Sequence, residues 1–316
     1  MVKKNASCKI LIILSFIALS FIVLFLTWNV SNLNIFRFRL EKVITLILVA
    51  YTISVSTVLF QTVTNNKILT PSIMGFDQLY ILIQTVLIFF VGQAKIPGFS
   101  QQGQFLLEAA ILVLFSSSLF FWLFGKTARN LHLTLLVGVV CGSLFFSLRM
   151  LMQIKLDPDL ALRLTDVMFA NFNKMQTSLL ITSLIVVVIV SIIGFILRHK
   201  FDVLTLGRDN AISLGVPYQS TVLIILILTT ILVAISTALV GPITFFGLLV
   251  ASLAYQIAPT AKHAVVLPVA ILLGIIFLVG GQFIFERLNM MGRLTFVIEF
   301  FGGLVFLSLL IKGRLK

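Results

Sequence analysis

Charge is scarce in this sequence. Only 10% of its 316 residues are charged, and Asp plus Glu number 10 against 23 Lys plus Arg. Soluble domains carry about 25% charged residues, so an ordinary water-covered surface is excluded. The basic excess of +13 is scattered through short loops and termini rather than gathered on one polar face. That pattern excludes a nucleic-acid surface and leaves lipid headgroups and membrane topology to explain the charge. Cysteine is nearly absent. Cys8 and Cys141 lie far apart and form no CxxC, so they read as a thiol near the N-terminus and a small packing residue in a helix. The three histidines, His132, His199 and His263, have no ligand spacing with each other or with the cysteines, which argues against a metal site. No nucleophile, base and orienter fall into one set, so no catalysis and no cofactor bound by this chain are expected. Gly125, Lys126 and Thr127 look like the end of a phosphate-binding loop. That motif needs a glycine five residues earlier, where Phe120 stands inside an apolar run.

What is present is apolar: 60% of residues are hydrophobic, and the mean hydropathy is +1.18. Runs of about 20 such residues are long enough to cross a bilayer. Inside hydrocarbon every backbone N–H and C=O must be satisfied within the segment, and the runs lack the alternation of barrel strands. An all-α bundle forming a single domain over residues 1–316 follows, with no linker, low-complexity tract or repeat to divide it. The runs fall at roughly 9–28, 43–63, 76–94, 104–124, 132–153, 176–197, 219–239, 243–258, 264–284 and 294–312. The first follows Lys3, Lys4 and Lys9, but it is too long for a signal-peptide core, and no cleavage site follows it. It reads as a retained span. The eighth is short for a membrane about 30 Å thick, which implies a tilted or partial crossing. Placing both termini inside puts 13 of the 23 basic residues on the inner side, clustered at the tails and in the run Arg198, His199, Lys200.

Between the sixth and seventh runs stands LTLGRDNAISLGVPY, residues 204–218. Gly207 can open a helix, Asp209 and Asn210 suit its first turn, Gly215 can take the left-handed conformation that closes it, and Pro217 prevents continuation. A helix over about 208–214 is expected. It is too short to be stable alone in water, so it packs on the bundle at the cytoplasmic face, either as a plain surface helix or as a docking element.

The residues Asp209, Ala211, Leu214 and Gly215, then Gly241, Pro242, Ile243, Phe245, Gly247 and Leu248, resemble two signature blocks of the FecCD-type permeases of iron-siderophore and vitamin B12 ABC importers. A third block agrees: Gln61, Asn66, Pro71, Ser72 and Gly75 match Gln-x4-Asn-x4-Pro-Ser-x-x-Gly. The resemblance covers essentially the whole chain. It implies a ten-helix, BtuC-like type II importer permease in the cytoplasmic membrane. Such a permease pairs with a second permease, equal or different, and works with two cytoplasmic ATPases that use ATP and Mg²⁺ and with an extracytoplasmic siderophore-binding protein. Residues 208–214 would then be the coupling helix gripped by the ATPase, with Arg208 and Asp209 in contact and Gly207 and Gly215 at the bends.

At the opposite face, the resemblance places docking cations at Arg39, Lys42 and Arg287, with Glu41 where the family has proline. Arg39 and Lys42 could equally anchor a helix end at headgroups. Gly138 and Gly142, one turn apart, either clear a translocation path or serve ordinary close packing. Glu299 lies well inside the tenth run, and Arg149 lies nearer the outer end of the fifth. For Glu299 a water-facing or subunit-contact role stands beside a neutral, hydrogen-bonded carboxyl. Ala251, Ser252 and Tyr255 replace the family's Pro-His-x-x-Arg, Gly302 and Gly303 lack the proline expected after them, and Val167 replaces a tryptophan. These departures mark a divergent member. The expected function is a permease subunit for ferric siderophore; B12 or haem import, or an ion-coupled carrier, are the alternatives. A carrier would need a pair of acids at midplane, where the sequence offers only Glu299.

Overall fold

The computed structural model describes residues 2–28, 32–92, 98–125, 131–173, 177–288 and 294–311. All regular structure among them is helical. In chain order the helices are α1 (Val2–Thr27), α2 (Leu33–Thr64), α3 (Phe76–Val91), α4 (Gln101–Gly125), α5 (Leu131–Gln153), α6 (Pro158–Val167) and α7 (Thr177–Leu204). They continue as α8 (Arg208–Ser213), α9 (Tyr218–Val240), α10 (Phe246–Ile257), α11 (His263–Ile275), α12 (Gly281–Arg287) and α13 (Leu294–Ile311). A single 3₁₀ turn, Pro71–Met74, precedes α3, and a π-helical turn, Ile276–Gly280, joins α11 to α12 without a break. Each of the ten apolar runs has a helix as its described core, the ninth extending through the continuous α11–α12 rod, as the need for internally satisfied backbone requires. Six described helices are long and apolar enough to span a membrane: α1, α2, α5, α7, α9 and the α11–α12 rod. Lys126 and Thr127 lie outside the described residues, as do Arg129 and the C-terminal Lys312, Arg314 and Lys316.

Helix α2 is the axis of the bundle. In its most apolar window 78% of residues are buried, against 22% for α7, and it packs on α9, α11, α10 and α7. Small residues let its neighbours approach. A Cβ added at Gly247 of α10 would lie 2.2 Å from Thr57 Oγ1, and one at Gly274 of α11 would lie 2.7 Å from Ser54 Oγ. At both points the absent side chain is what allows the helices to touch. The 12 residues of α10 span about 18 Å, well short of a hydrocarbon core of about 30 Å. The shortness of the eighth run is therefore real, and the irregular segment 241–245 ahead of α10 completes the path to α9.

Two of these helices lie outside the hydrophobic runs, the expected α8 and the unexpected α6. Helix α6 starts with Pro158 at its first position after Asp157, and it buries Leu164 completely. Its apolar residues Leu160, Leu164 and Val167 follow helical spacing. Ten residues with this little apolar content do not stand out beside membrane-length neighbours.

Candidate functional site

Helix α8 is bounded as its glycines dictate. Gly207 precedes it with φ 89°, and Gly215 follows at φ 80°, the left-handed conformation. The Gly215 N–H donates to Ile212 O (2.9 Å) and the Val216 N–H to Ala211 O (3.0 Å). Together these two bonds form a Schellman closure. Leu214 serves as the C-cap, so the helix is one residue shorter than expected. Ala211 is fully buried against Phe201, Leu204, Val222 and Ile225, which ties the helix to α7 and α9. The opposite side is open: Arg208 and Asp209 are exposed, and Leu206, Ile212 and Leu214 are 54%, 50% and 62% exposed. Exposed apolar groups beside an Arg and an Asp, on a helix fixed from beneath, can enter a complementary groove without first paying to become ordered.

The expected docking cations Arg39, Lys42 and Arg287 lie at the other end of the bundle, because α7 begins beside Glu41, where Thr177 Oγ1 donates to Glu41 Oε1 (2.9 Å), and ends beside α8. Only part of the expected cationic set is available there. Lys42 is 4% exposed, and its Nζ donates to Asn173 Oδ1 and Glu286 Oε1, each at 2.5 Å. Arg39 caps α1, donating from Nη1 to the carbonyls of Phe25 (3.1 Å) and Trp28. Arg287 is exposed, its guanidinium 4.4 Å from the Trp28 ring centroid and 5.5 Å from that of Phe283. Arg37, which the motif comparison passed over, is the more exposed neighbour of Arg39 and pairs with Glu41 at 3.6 Å. Lys42→Met should lower stability by about 2 kcal/mol, less than the full cost of breaking a buried pair because Glu286 keeps contact with water. Thermal unfolding measures this, and adding Glu286→Gln should recover part of the loss. An unchanged Lys42→Met variant would mean that the ion pair holds nothing in place.

Between the two ends, the motif blocks meet. Gly75 has φ 87°, and a Cβ there would lie 2.6 Å from Gly142 Cα; a Cβ on Gly138 would lie 2.7 Å from Met74 Cε. Both α5 glycines are thus used for contact within this chain, against the turn formed by Pro71–Met74. Gly241 has φ 101°, which disfavours a side chain, and a Cβ there would press on Ala170 Cα at 3.1 Å. Beyond Pro242, Thr244 Oγ1 donates to Asp77 Oδ2 (3.1 Å), and the Thr244 backbone N–H donates to Glu299. Asp77 is buried and also bonded to Ser72. Two interrupted segments, 70–75 and 241–245, therefore converge on two carboxyl groups, Asp77 and Glu299, that interact with each other. Gln61 Nε2 donates to Lys67 O (2.6 Å), and the Asn66 side chain accepts from Ile68 N (2.9 Å). Gln61 and Asn66 line a cavity of about 690 Å³, together with Lys67, Tyr255 and His263, at the α8 end.

The sequence profile of the FecCD transport family matches residues 7–312, nearly the whole chain. The chain belongs to the FecCD transport family. The petrobactin import system permease protein YclO of Bacillus subtilis (strain 168) is 41% identical over 298 residues, covering 94% of this chain and 95% of YclO. FatC of Bacillus anthracis, also a petrobactin import system permease, is 36% identical over 285 residues, covering 90% of this chain and 80% of its own length. Among solved structures, a metal-chelate type ABC transporter in an inward-facing conformation superposes with a TM-score of 0.82 at 23% identity, over 97% of this chain and 99% of that one. That likeness establishes the fold. Apolar helices and family membership together make this a multi-pass membrane protein.

This FecCD-family chain also has polar groups that its motifs did not flag. Asp202 Oδ1 accepts both the backbone N–H (2.8 Å) and ring Nδ1 (2.7 Å) of His263, and His263 Nε2 lies 2.6 Å from Thr62 Oγ1. The ends of α7, α11 and α2 are thereby tied together next to α8. His199 and His263 do not converge with other acids or cysteines, and no group of three or more potential metal ligands occurs among the described residues. Arg149 is buried, its guanidinium 4.9 Å from the Phe146 ring centroid and Nη1 3.4 Å from Met168 Sδ. Asp77 could have been suspected from an acid directly after a Pro-Ser-x-x-Gly turn; nothing local marks Asp202.

Proposed function

We propose that this chain is the membrane-spanning permease subunit of an ATP-binding cassette importer for a ferric siderophore, with petrobactin the first cargo to test. The observation that carries this reading is the combination of end-to-end similarity to two petrobactin permeases with a six-residue helix held rigidly from beneath and open above. In this reading α8 faces the cytoplasm, both termini lie on that side, and a separate ATPase binds ATP and Mg²⁺ and grips Ile212, Leu214, Arg208 and Asp209. Nucleotide-driven movement of the ATPase then tilts α7 and α9 through Ala211, because a short rigid element transmits displacement that a loop would absorb. The extracytoplasmic binding protein meets the opposite end, where Arg287 and Arg37 offer exposed charge for steering and Arg39 and Lys42 hold the surface in shape. A second permease, identical or different, completes the path. The permease itself binds cargo weakly, which favours release.

The converging Asp77 and Glu299 are the one observation that favours ion coupling instead. Vesicles containing the permease, ATPase and binding protein separate the two readings. Uptake of labelled ferric petrobactin should require ATP and survive ionophores that collapse sodium and proton gradients. Uptake driven by a gradient without ATP would overturn the ATP-driven reading.

A further inference from the structure

A half-open groove of about 560 Å³ runs between α7 and α11, floored by α2 and α9. Its walls are apolar, with Val55, Leu59, Leu228, Leu232, Leu267 and Ile271 among the lining side chains. On α7 it follows one helical stripe, from Val190 and Ser191 through Gly194 to Arg198 and Asp202. Twelve helical steps from Val190 to Asp202 make this stripe roughly 18 Å long, close to the hydrocarbon depth of one leaflet, about 15 Å. The deep end stops at the Tyr51–Ser191 hydroxyl pair, 2.7 Å apart. The shallow end carries Arg198 and His199, with Lys200 adjoining in sequence and Lys262 within electrostatic reach of Asp202. Asp202, the acid at that mouth, is already committed to the backbone and ring of His263. The mouth is therefore net positive. The flanking surface of α7 is exposed and apolar at Ile192, Phe195 and Ile196, as a lipid-facing helix requires.

We propose that this groove is a binding site for an anionic glycerophospholipid, one acyl chain lying along Gly194 and the headgroup held by Arg198, His199 and Lys262. Three features select this occupant over a soluble molecule: an apolar channel one leaflet deep, opening onto the lipid-facing flank, and a cationic mouth at headgroup level. The site touches the Asp202–His263 tie between α7 and α11. Lipid bound here would brace the helix ends that flank α8, giving membrane composition a grip on the moving part.

The helical stripe leaves a specific handle. A Cβ at Gly194 meets nothing within 4 Å, so Gly194→Phe projects into the groove, and replacing a mid-helix glycine costs no helix stability. The experiment uses the intact transporter complex in nanodiscs containing phosphatidylglycerol with a mid-chain diazirine. Photolabelling should concentrate on α7 and α11 peptides around Gly194 and Ile271. Unlabelled phosphatidylglycerol should compete about fivefold better than phosphatidylcholine, the value of one headgroup-level cation. Gly194→Phe should cut labelling there about tenfold through lost chain burial, and Arg198→Gln should bring the two competitors toward equality. Labelling of wild type that ignores the headgroup means annular lipid only and overturns the proposal, as does full labelling of folded Gly194→Phe. Because lipid occupancy rather than transport is read, the outcome is independent of the cargo and of the energy source.

Discussion

Replacing Ile212 and Leu214 together by aspartate is expected to reduce ATP-driven uptake at least about a hundredfold while the permease stays folded. The two side chains are half or more exposed in the isolated chain, so in the free permease they bury little and their replacement costs little. In a partner's groove each would contribute about 1.5–3 kcal/mol of apolar burial, and each tenfold in affinity is about 1.4 kcal/mol. Losing both, with a charge buried in place of each, removes at least two decades of docking. The internal attachment of α8 is kept, since Ala211 is unchanged and the bonds from Gly215 and Val216 end on backbone carbonyls. Uptake in vesicles and thermal unfolding of the purified permease must be read side by side. Unchanged uptake, with unchanged unfolding, would mean that α8 is a surface helix and nothing more.

The second large effect is expected at Gly142. Gly142→Leu should prevent accumulation of folded permease, with a loss of stability of about 3 kcal/mol or more. A Cβ there would stand 2.9 Å from Gly75 Cα, and Gly75 is held in the left-handed conformation at the turn into α3. Backbone meets backbone, so neither side can yield by a rotamer change. Gly138→Ala should be milder, since its closest contact is the flexible tip of Met74, though Met74 Cβ is also near at 3.2 Å. Expression and unfolding of the two variants measure this order. If Gly142→Leu folded normally and lost only transport, the glycine would belong to the path rather than to the packing.

Features set by local backbone chemistry were readable from the sequence. Helix α8 was, because Gly207, Gly215 and Pro217 act within one turn of where they stand. The short α10 was too, because the apolar run itself is short. What the sequence hid is chemistry completed across long separations. Lys42 looks like a free docking cation beside Arg39 until Glu286, 244 residues later, arrives at its ammonium. Asp77 looks like a first-turn acid at the start of α3 until Thr244, 167 residues away, bonds to it. Asp77 thereby comes within electrostatic reach of Glu299, the one acid that stood out inside an apolar run along the chain. Gly138 and Gly142 had two readings open from spacing alone, and the contact with Met74 and Gly75 supplies the packing one. Helix α6 went unseen because ten amphipathic residues give a weak periodic signal between two strongly apolar runs.

Site-directed cross-linking from position 214 tests the central claim most directly. With Leu214→Cys in the assembled importer and a short thiol-reactive cross-linker, the account predicts a covalent adduct with the ATPase subunit whose yield changes when nucleotide is added. A transport-competent complex in which position 214 reaches no ATPase, with or without nucleotide, would contradict it.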